Sequence, residues 1–292
     1  MSSIIGVDEI RAFSDVHAIY PLIDPTVAFA QQEFKGQVVL LTGASRGIGL
    51  SMATFYARAG ADLVLVSRKL ETLQASKTEI LKTFPQARIE LVEADVMHPA
   101  AGPEAVKRAI DVFGRLDVLA ANAGVPSAPK APIAEKDPLR WWYTQEVNVR
   151  GTFSFIHAAL PELVKTKGQI IFTSSGMAHI RISGRSDYII SNHTANRLVE
   201  LVSLEYPEVK TYAVHPGVVE TPLSQQVDPP VPRTDPPEVM AATALWLTAR
   251  NAEFLSGRYI NATWDLNEVV AKKDEIIRDN LLVTKLATPS KA

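Results

Sequence analysis

A chain of 292 residues, 47% hydrophobic and 21% charged, is long enough for one substantial core and lies near the upper end of what one core supports. Thirty basic residues against 32 acidic ones leave a net charge of −2, which gives no electrostatic footprint for nucleic acid or an anionic membrane and favours a small-molecule partner. The absence of cysteine excludes disulfides, thiolate metal ligands and a cysteine nucleophile, and no metal site is expected.

The chain opens MSSIIGVDEIRAF, with acids where a signal peptide carries positive charge, and no later apolar run reaches the roughly 18 residues of a membrane span. A soluble, cytoplasmic protein is the expectation. Residues 1–34 have weak periodicity and a turn-prone stretch from Pro21 to Pro25, and read as an N-terminal arm: an ordered tail, a substrate cover or a bridge to another subunit. From Gln37 onward, short Val-, Leu- and Ile-rich runs alternate with helical periods. Strands are expected at 37–42, 62–67, 88–94, 117–123, 169–175, 211–216 and 258–262. Helices are expected near 47–59, 69–83, 103–113, 138–165, 187–205 and 238–249, with an amphipathic helix near 265–280. Strand runs that are apolar on both faces, with helices between them, imply a parallel sheet covered on both sides. Right-handed crossovers then give an α/β, doubly wound, Rossmann-type single domain over 35–265, its seven-stranded sheet largely parallel. Residues 266–292 form a C-terminal helix and tail. The stretch 223–237, with Pro229, Pro230, Pro232, Pro236 and Pro237, reads as a stiffened flap, and Val227 and Val231 within it hint at an apolar substrate.

The first strand runs directly into Thr42-Gly43-Ala44-Ser45-Arg46-Gly47-Ile48-Gly49, followed at once by a helix. Glycines there let the backbone turn tightly and approach a pyrophosphate, while the helix offers free N–H groups and its positive dipole end. The second strand ends in Ser67-Arg68, where an NAD-binding fold presents an acid to the adenosine ribose. Arg46 and Arg68 favour an added 2′-phosphate through charge-assisted bonds, so NADP(H) is expected over NAD(H).

With these motifs in order, the chain resembles the short-chain dehydrogenase/reductase family over roughly residues 36–265. Asp95-Val96 after the third strand matches the pair that meets adenine, and Ala121-Asn122-Ala123-Gly124 matches the family's Asn-Asn-Ala-Gly with its first residue changed. Asn148 matches the helix asparagine of the proton relay, and Ser175, thirteen positions before Tyr188, has the spacing of the catalytic serine and tyrosine. His215-Pro216-Gly217 and Thr221 match the segment that closes over the nicotinamide, with Val219 between them. The resemblance implies Ser175, Tyr188, Asn148 and Asn192 as the catalytic set. For the cofactor it implies Gly43, Ser45, Arg46, Gly47, Ile48 and Gly49 at the phosphates and Arg68, Asp95 and Val96 about the adenosine. Asn122, Ala123, Gly124, Tyr188, Asn192, Pro216, Gly217, Val219 and Thr221 would then lie toward the nicotinamide. A homodimer or homotetramer is implied in the same way.

The family pattern Tyr-x-x-x-Lys stands here as Tyr188-Ile189-Ile190-Ser191-Asn192. The resemblance implies that the lysine holds the ribose hydroxyls and lowers the tyrosine pKa. A charge about 5 Å away, at an effective dielectric of about 20, is worth on the order of 3 kcal/mol, or roughly two pKa units. Asn192 can hydrogen-bond but carries no charge. Oxidising an alcohol requires a base and should suffer most; reducing a carbonyl requires an acid, which a neutral Tyr188 remains. The expected activity is therefore NADP(H)-dependent reduction of a ketone, aldehyde or enone on a small to medium apolar molecule. Dehydration, isomerisation or cyclisation by Ser175, Tyr188 and a histidine is the alternative, and a non-catalytic NADP-binding protein a third. His179 reads equally as a substrate contact or a loop residue, His193 as packing or subunit contact, and Trp141, Trp142 and Tyr143 as core or interface.

Overall fold

The computed structural model describes residues 4–221, 224–226 and 235–286. Seven strands form one sheet: β1 (Val38–Thr42), β2 (Asp62–Ser67), β3 (Ile89–Glu93), β4 (Val118–Ala121), β5 (Gln169–Thr173), β6 (Lys210–His215) and β7 (Arg258–Asn261). Every pairing is parallel and the order is β3-β2-β1-β4-β5-β6-β7. Both faces are covered, and the alternation of side chains shows how. Val39, Leu41, Leu63 and Leu65 enter one core layer with Met52, Ala53 and Tyr56, while Val38, Leu40, Val64 and Val66 enter the other with Phe155, Ile156 and Val199. Full burial of such side chains contributes about 1.5–3 kcal/mol each, which is why these strands carry almost no polar residue.

The first layer is roofed by α1 (Thr26–Gln31), α2 (Gly47–Arg58), α3 (Leu70–Thr83) and α8 (Pro237–Trp246); the second by α4 (Ala101–Phe113), α6 (Thr152–Thr166) and α7 (Ser186–Glu205). The long helix expected near 138–165 is present as one continuous run, in which α5 (Pro138–Gln145) passes through a π turn, Glu146–Gly151, into α6. The helix expected near 265–280 is two, α9 (Leu266–Ala271) and α10 (Lys273–Arg278), broken where Lys272 leaves helical geometry at φ −97° and ψ 16°. Of the expected flap, Val227, Pro229, Pro230, Val231 and Pro232 lie outside the described residues; Pro237 is the first residue of α8.

Residues 4–34 touch the domain at a few points and are otherwise largely exposed. Ile23, Ala28 and Phe34 join the core, Ile5 pairs antiparallel with Arg181, and Asp15 pairs with Trp264 beyond β7. No helix among the described residues is long and apolar enough to cross a membrane, and none of their His, Asp and Glu side chains gather as a metal-ligating group.

Candidate active site

The strand order reverses at β1, which has β2 on one side and β4 on the other, and in a doubly wound sheet the carboxyl ends of two such strands are where the ligand crevice lies. Thr42 closes β1, and its Oγ1 accepts the N–H groups of Asn122 and Ala123, both at 3.0 Å. The Asn122 amide donates to the carbonyls of Thr42 and Gly43 at 3.2 Å and accepts from the Thr173 hydroxyl at 3.0 Å. One asparagine thus fastens the ends of β1, β4 and β5. Gly43 has φ +67° and backs onto Ala123, so a Cβ there would stand 3.0 Å from Ala123 Cα. Gly49 has no room at all: its Cβ would collide with the Gly43 carbonyl oxygen. Arg46 precedes α2 in extended geometry and offers no side-chain cap, so the first-turn N–H groups from Gly47 onward face the crevice without a side-chain acceptor.

Gly49→Ala should therefore cost about 1–3 kcal/mol of stability through overpacking, with a nucleotide affinity at least about tenfold lower because the turn must open. Denaturant melts and a binding titration read the two losses separately.

At the adenosine end, Ser67 closes β2 with its hydroxyl on the Lys69 carbonyl at 3.3 Å, and no acid occupies its place. Arg46 and Arg68 are both exposed, and neither enters an ion pair among the described residues. Ser45 is fixed through its carbonyl by Ser76 Oγ at 3.0 Å. One Asp95 oxygen accepts its own turn's Met97 N–H at 3.0 Å, while Val96 packs against Gly151 of the π turn.

On the far side of the crevice, Ser175 leaves β5 in extended geometry, and its Oγ accepts the Met177 N–H at 3.2 Å. Tyr188 stands in the first turn of α7. Burial pushes its hydroxyl above the ordinary tyrosine range, and hydrogen bonding with Ser175 and Asn192 opposes that shift without cancelling it. No cation contributes. Asn192 is buried and its Nδ2 donates to the Tyr188 carbonyl at 3.0 Å, one helical turn back. Asn148, in the π turn, accepts from Val125 N–H at 2.9 Å and donates to the Val125 carbonyl at 3.2 Å and Ser191 Oγ at 3.1 Å. Its side chain is thereby committed to joining the loop after β4 to α7. Gly124 lies beneath it, and a Cβ there would stand 3.4 Å from Asn148 Oδ1. The segment after β6 completes the wall: Pro216 is buried, Val219 pairs with Asp235, and Thr221 Cγ2 lies 3.1 Å from where a Gly47 Cβ would be.

A family model described as short chain dehydrogenase matches residues 37–231. The chain belongs to the short-chain dehydrogenase family. It is 35% identical to the short chain dehydrogenase citE of Monascus ruber over 272 residues, covering 90% of this chain and 92% of that one. It is also 35% identical over 190 residues to the 1,2-dihydroxy-1,2-dihydronaphthalene dehydrogenase of Pseudomonas putida, covering 64% of this chain and 71% of that protein. Among solved structures, levodione reductase superposes with a TM-score of 0.73 at 26% identity, over 78% of this chain and 96% of that one. The doubly wound sheet and the oxidoreductase family are thereby established together.

In this short-chain dehydrogenase His179 and His193 are bonded to groups other than Tyr188. His179 Nε2 takes the Asn196 amide at 3.2 Å, and its ring meets Tyr259 edge-on at 4.5 Å. Burial lowers it to about 4, so it is neutral at pH 7. His193 is exposed and its Nδ1 donates to the Ala178 carbonyl at 3.0 Å. Trp141 Nε1 donates to Ser186 Oγ at 3.1 Å and so supports the start of α7. Sequence reasoning did not single out Thr173, Ser191, Asp187, Lys136 or Asp235 for the site. Thr42 had a signal, as the first letter of the glycine turn at a strand's end.

Proposed function

We propose that this short-chain dehydrogenase binds NADP(H) and works chiefly as a carbonyl reductase, taking a ketone, aldehyde or enone of a small to medium molecule. The observation that carries the direction is the state of Tyr188: its hydroxyl is pushed above the ordinary range, it is coupled to Ser175, and it has no cation beside it. The names of the relatives leave the direction open, since one is a reductase and another a dehydrogenase. The cofactor reading is supported by the uncapped start of α2, the glycines that admit no Cβ, and the exposed Arg46 and Arg68 where an acid would select NAD.

When bound, the reduced nicotinamide supplies the hydride to the carbonyl carbon. Tyr188 gives its phenolic proton to the carbonyl oxygen as negative charge develops there, and Ser175 Oγ–H donates a second bond to the same oxygen. Asn192 brings no charge to the ribose, and its amide already holds Tyr188. Because the Asn148 side chain is committed to Val125 and Ser191, it serves to hold the loop after β4 against α7 beside Tyr188. The acid–base alternative needs a histidine beside Tyr188, and His179 and His193 are otherwise engaged. Exposed Trp142, Phe153 and Leu204 on α5, α6 and α7 support pairing of subunits through these helices.

Titrating the protein with NADPH and NADH tests the cofactor choice without a known substrate. NADPH should bind more tightly, and Arg68→Asp should move the NADPH-to-NADH preference by about 100-fold toward NADH, the worth of one charge-assisted phosphate contact plus a new repulsion. A panel of carbonyl compounds with NADPH then tests the direction. Failure of wild-type protein to bind either nucleotide overturns the whole reading.

A further inference from the structure

A histidine from the N-terminal arm grips a buried carboxylate at the base of the loop after β6. The arm arrives there because residues 14–17 run beside the segment following β7. Asp265 N–H donates to the Ser14 carbonyl at 2.7 Å, Val16 N–H to the Thr263 carbonyl at 2.5 Å, and the Ser14 hydroxyl to Glu268 at 2.7 Å. His17 is left over Asp235, Nδ1 to Oδ1 at 2.5 Å, with the Asp235 side chain 3% exposed and that of His17 52%. The second Asp235 oxygen accepts the Val218 N–H at 2.5 Å, and Asp235 N–H donates to the Val218 carbonyl at 3.3 Å. Side chain and main chain of one residue therefore hold the loop 216–219. Gly217, at φ +85°, is the only residue type that fits, since a Cβ there would stand 2.5 Å from Asp235 Oδ2.

We infer that His17 and Asp235 form a positioning pair for the loop 216–219, so that the arm sets the geometry of the face presented to the nicotinamide. A carboxylate this deeply buried is not satisfied by one backbone donor. His17 supplies the second and fixes which oxygen faces Val218. Without His17, Asp235 is free to rotate or draw in solvent, and Val218 N–H loses its fixed acceptor. Asp235 and His17 are positioning residues, not catalytic ones. The inference rests on the proposed function only in taking this loop as the one that faces the nicotinamide.

Two readouts separate the tether from its consequence. In nucleotide-free protein, His17→Ala should speed amide hydrogen exchange at Val218 at least about tenfold, a local opening that needs no cofactor. In turnover, the same variant should raise KM for NADPH about five- to tenfold while kcat stays within about twofold, the pattern of lost binding geometry. His17→Asn, whose Nδ2 stands at the reach of His17 Nδ1, should recover most of both effects. Asp235→Asn retains an acceptor for Val218 and should show the same pattern in smaller measure, even if alanine at 17 loosens the arm. Unchanged Val218 exchange in His17→Ala overturns the tether. A fall in kcat with KM unmoved overturns its positioning role. Wild-type protein that takes no nucleotide would defeat the cofactor reading, while faster Val218 exchange in His17→Ala would still support the tether.

Discussion

Asn192→Lys should raise the saturated rate of alcohol oxidation at pH 7 by about 100-fold and that of carbonyl reduction by no more than a few-fold. In the present site the Tyr188 hydroxyl is pushed above its ordinary range by burial and is opposed only by neutral partners, Ser175 and Asn192. The phenolate that oxidation requires is therefore scarce at neutral pH. A lysine ammonium at about 5 Å, with an effective dielectric near 20, would lower the hydroxyl by roughly two pKa units. Reduction uses the protonated form, which already dominates, so it has little to gain. The overall equilibrium is unaltered by any substitution, so the asymmetry appears in kcat and is balanced in the Michaelis and dissociation constants. The pH profile gives an independent check. Wild-type oxidation should climb about tenfold per pH unit from 7 to 9 as phenolate forms, and the variant should level off about two units earlier. Equal gains in both directions, or none, would overturn the account of Tyr188.

The same physics explains what could be read from the chain in advance. Runs such as VVLLT and DLVLVS were legible because a strand buried on both faces tolerates only apolar residues, and residues 38–42 and 62–67 are the strands those runs describe. The turn from Gly43 to Gly49 was legible because steric exclusion of Cβ leaves a sequence no alternative there. The π turn at Glu146–Gly151 and the break at Lys272 were not, because a one-residue change in helical register or a local kink barely alters an apolar period. The pairs that hold the walls were invisible for another reason. His17 and Asp235 lie 218 positions apart, and Lys136 sits in EKDPLR, a stretch whose composition is that of a solvated surface. Charge reads as surface unless a partner is known, and the partners are supplied by the fold.

Lys136 yields the largest stability effect expected of a single change outside the core. Its side chain is 3% exposed and lies 3.3 Å from Asp187, which is wholly buried and directly precedes Tyr188. Asp187 also accepts from Ala128 N–H at 2.6 Å and Ser127 Oγ at 2.8 Å, while its carbonyl accepts the Gln145 amide at 2.8 Å. Burial alone would raise the Asp187 carboxyl, but the bonds from Ala128 and Ser127 and the charge of Lys136 outweigh it and hold the group below its ordinary value. Such a carboxylate contributes stability above its unfolded pKa of about 3.9, and that contribution is lost as pH falls through the lower folded pKa. Lys136→Met fills the volume but leaves a buried charge without its cation, at a cost of about 3–5 kcal/mol, or a melting temperature roughly 10 °C lower. With the cation gone, the upward push of burial gains on the remaining bonds, and Asp187 takes up its proton at a higher pH than in the wild type. The deficit in melting temperature should therefore shrink between pH 7 and pH 4, because protonation removes the uncompensated charge. Adding Asp187→Asn should restore at least half of the loss at pH 7, since the amide oxygen still receives Ala128 and no charge is left to desolvate. A deficit below about 1 kcal/mol, independent of pH, is what an exposed pair would give, and it would place Lys136 in solvent and not against Asp187.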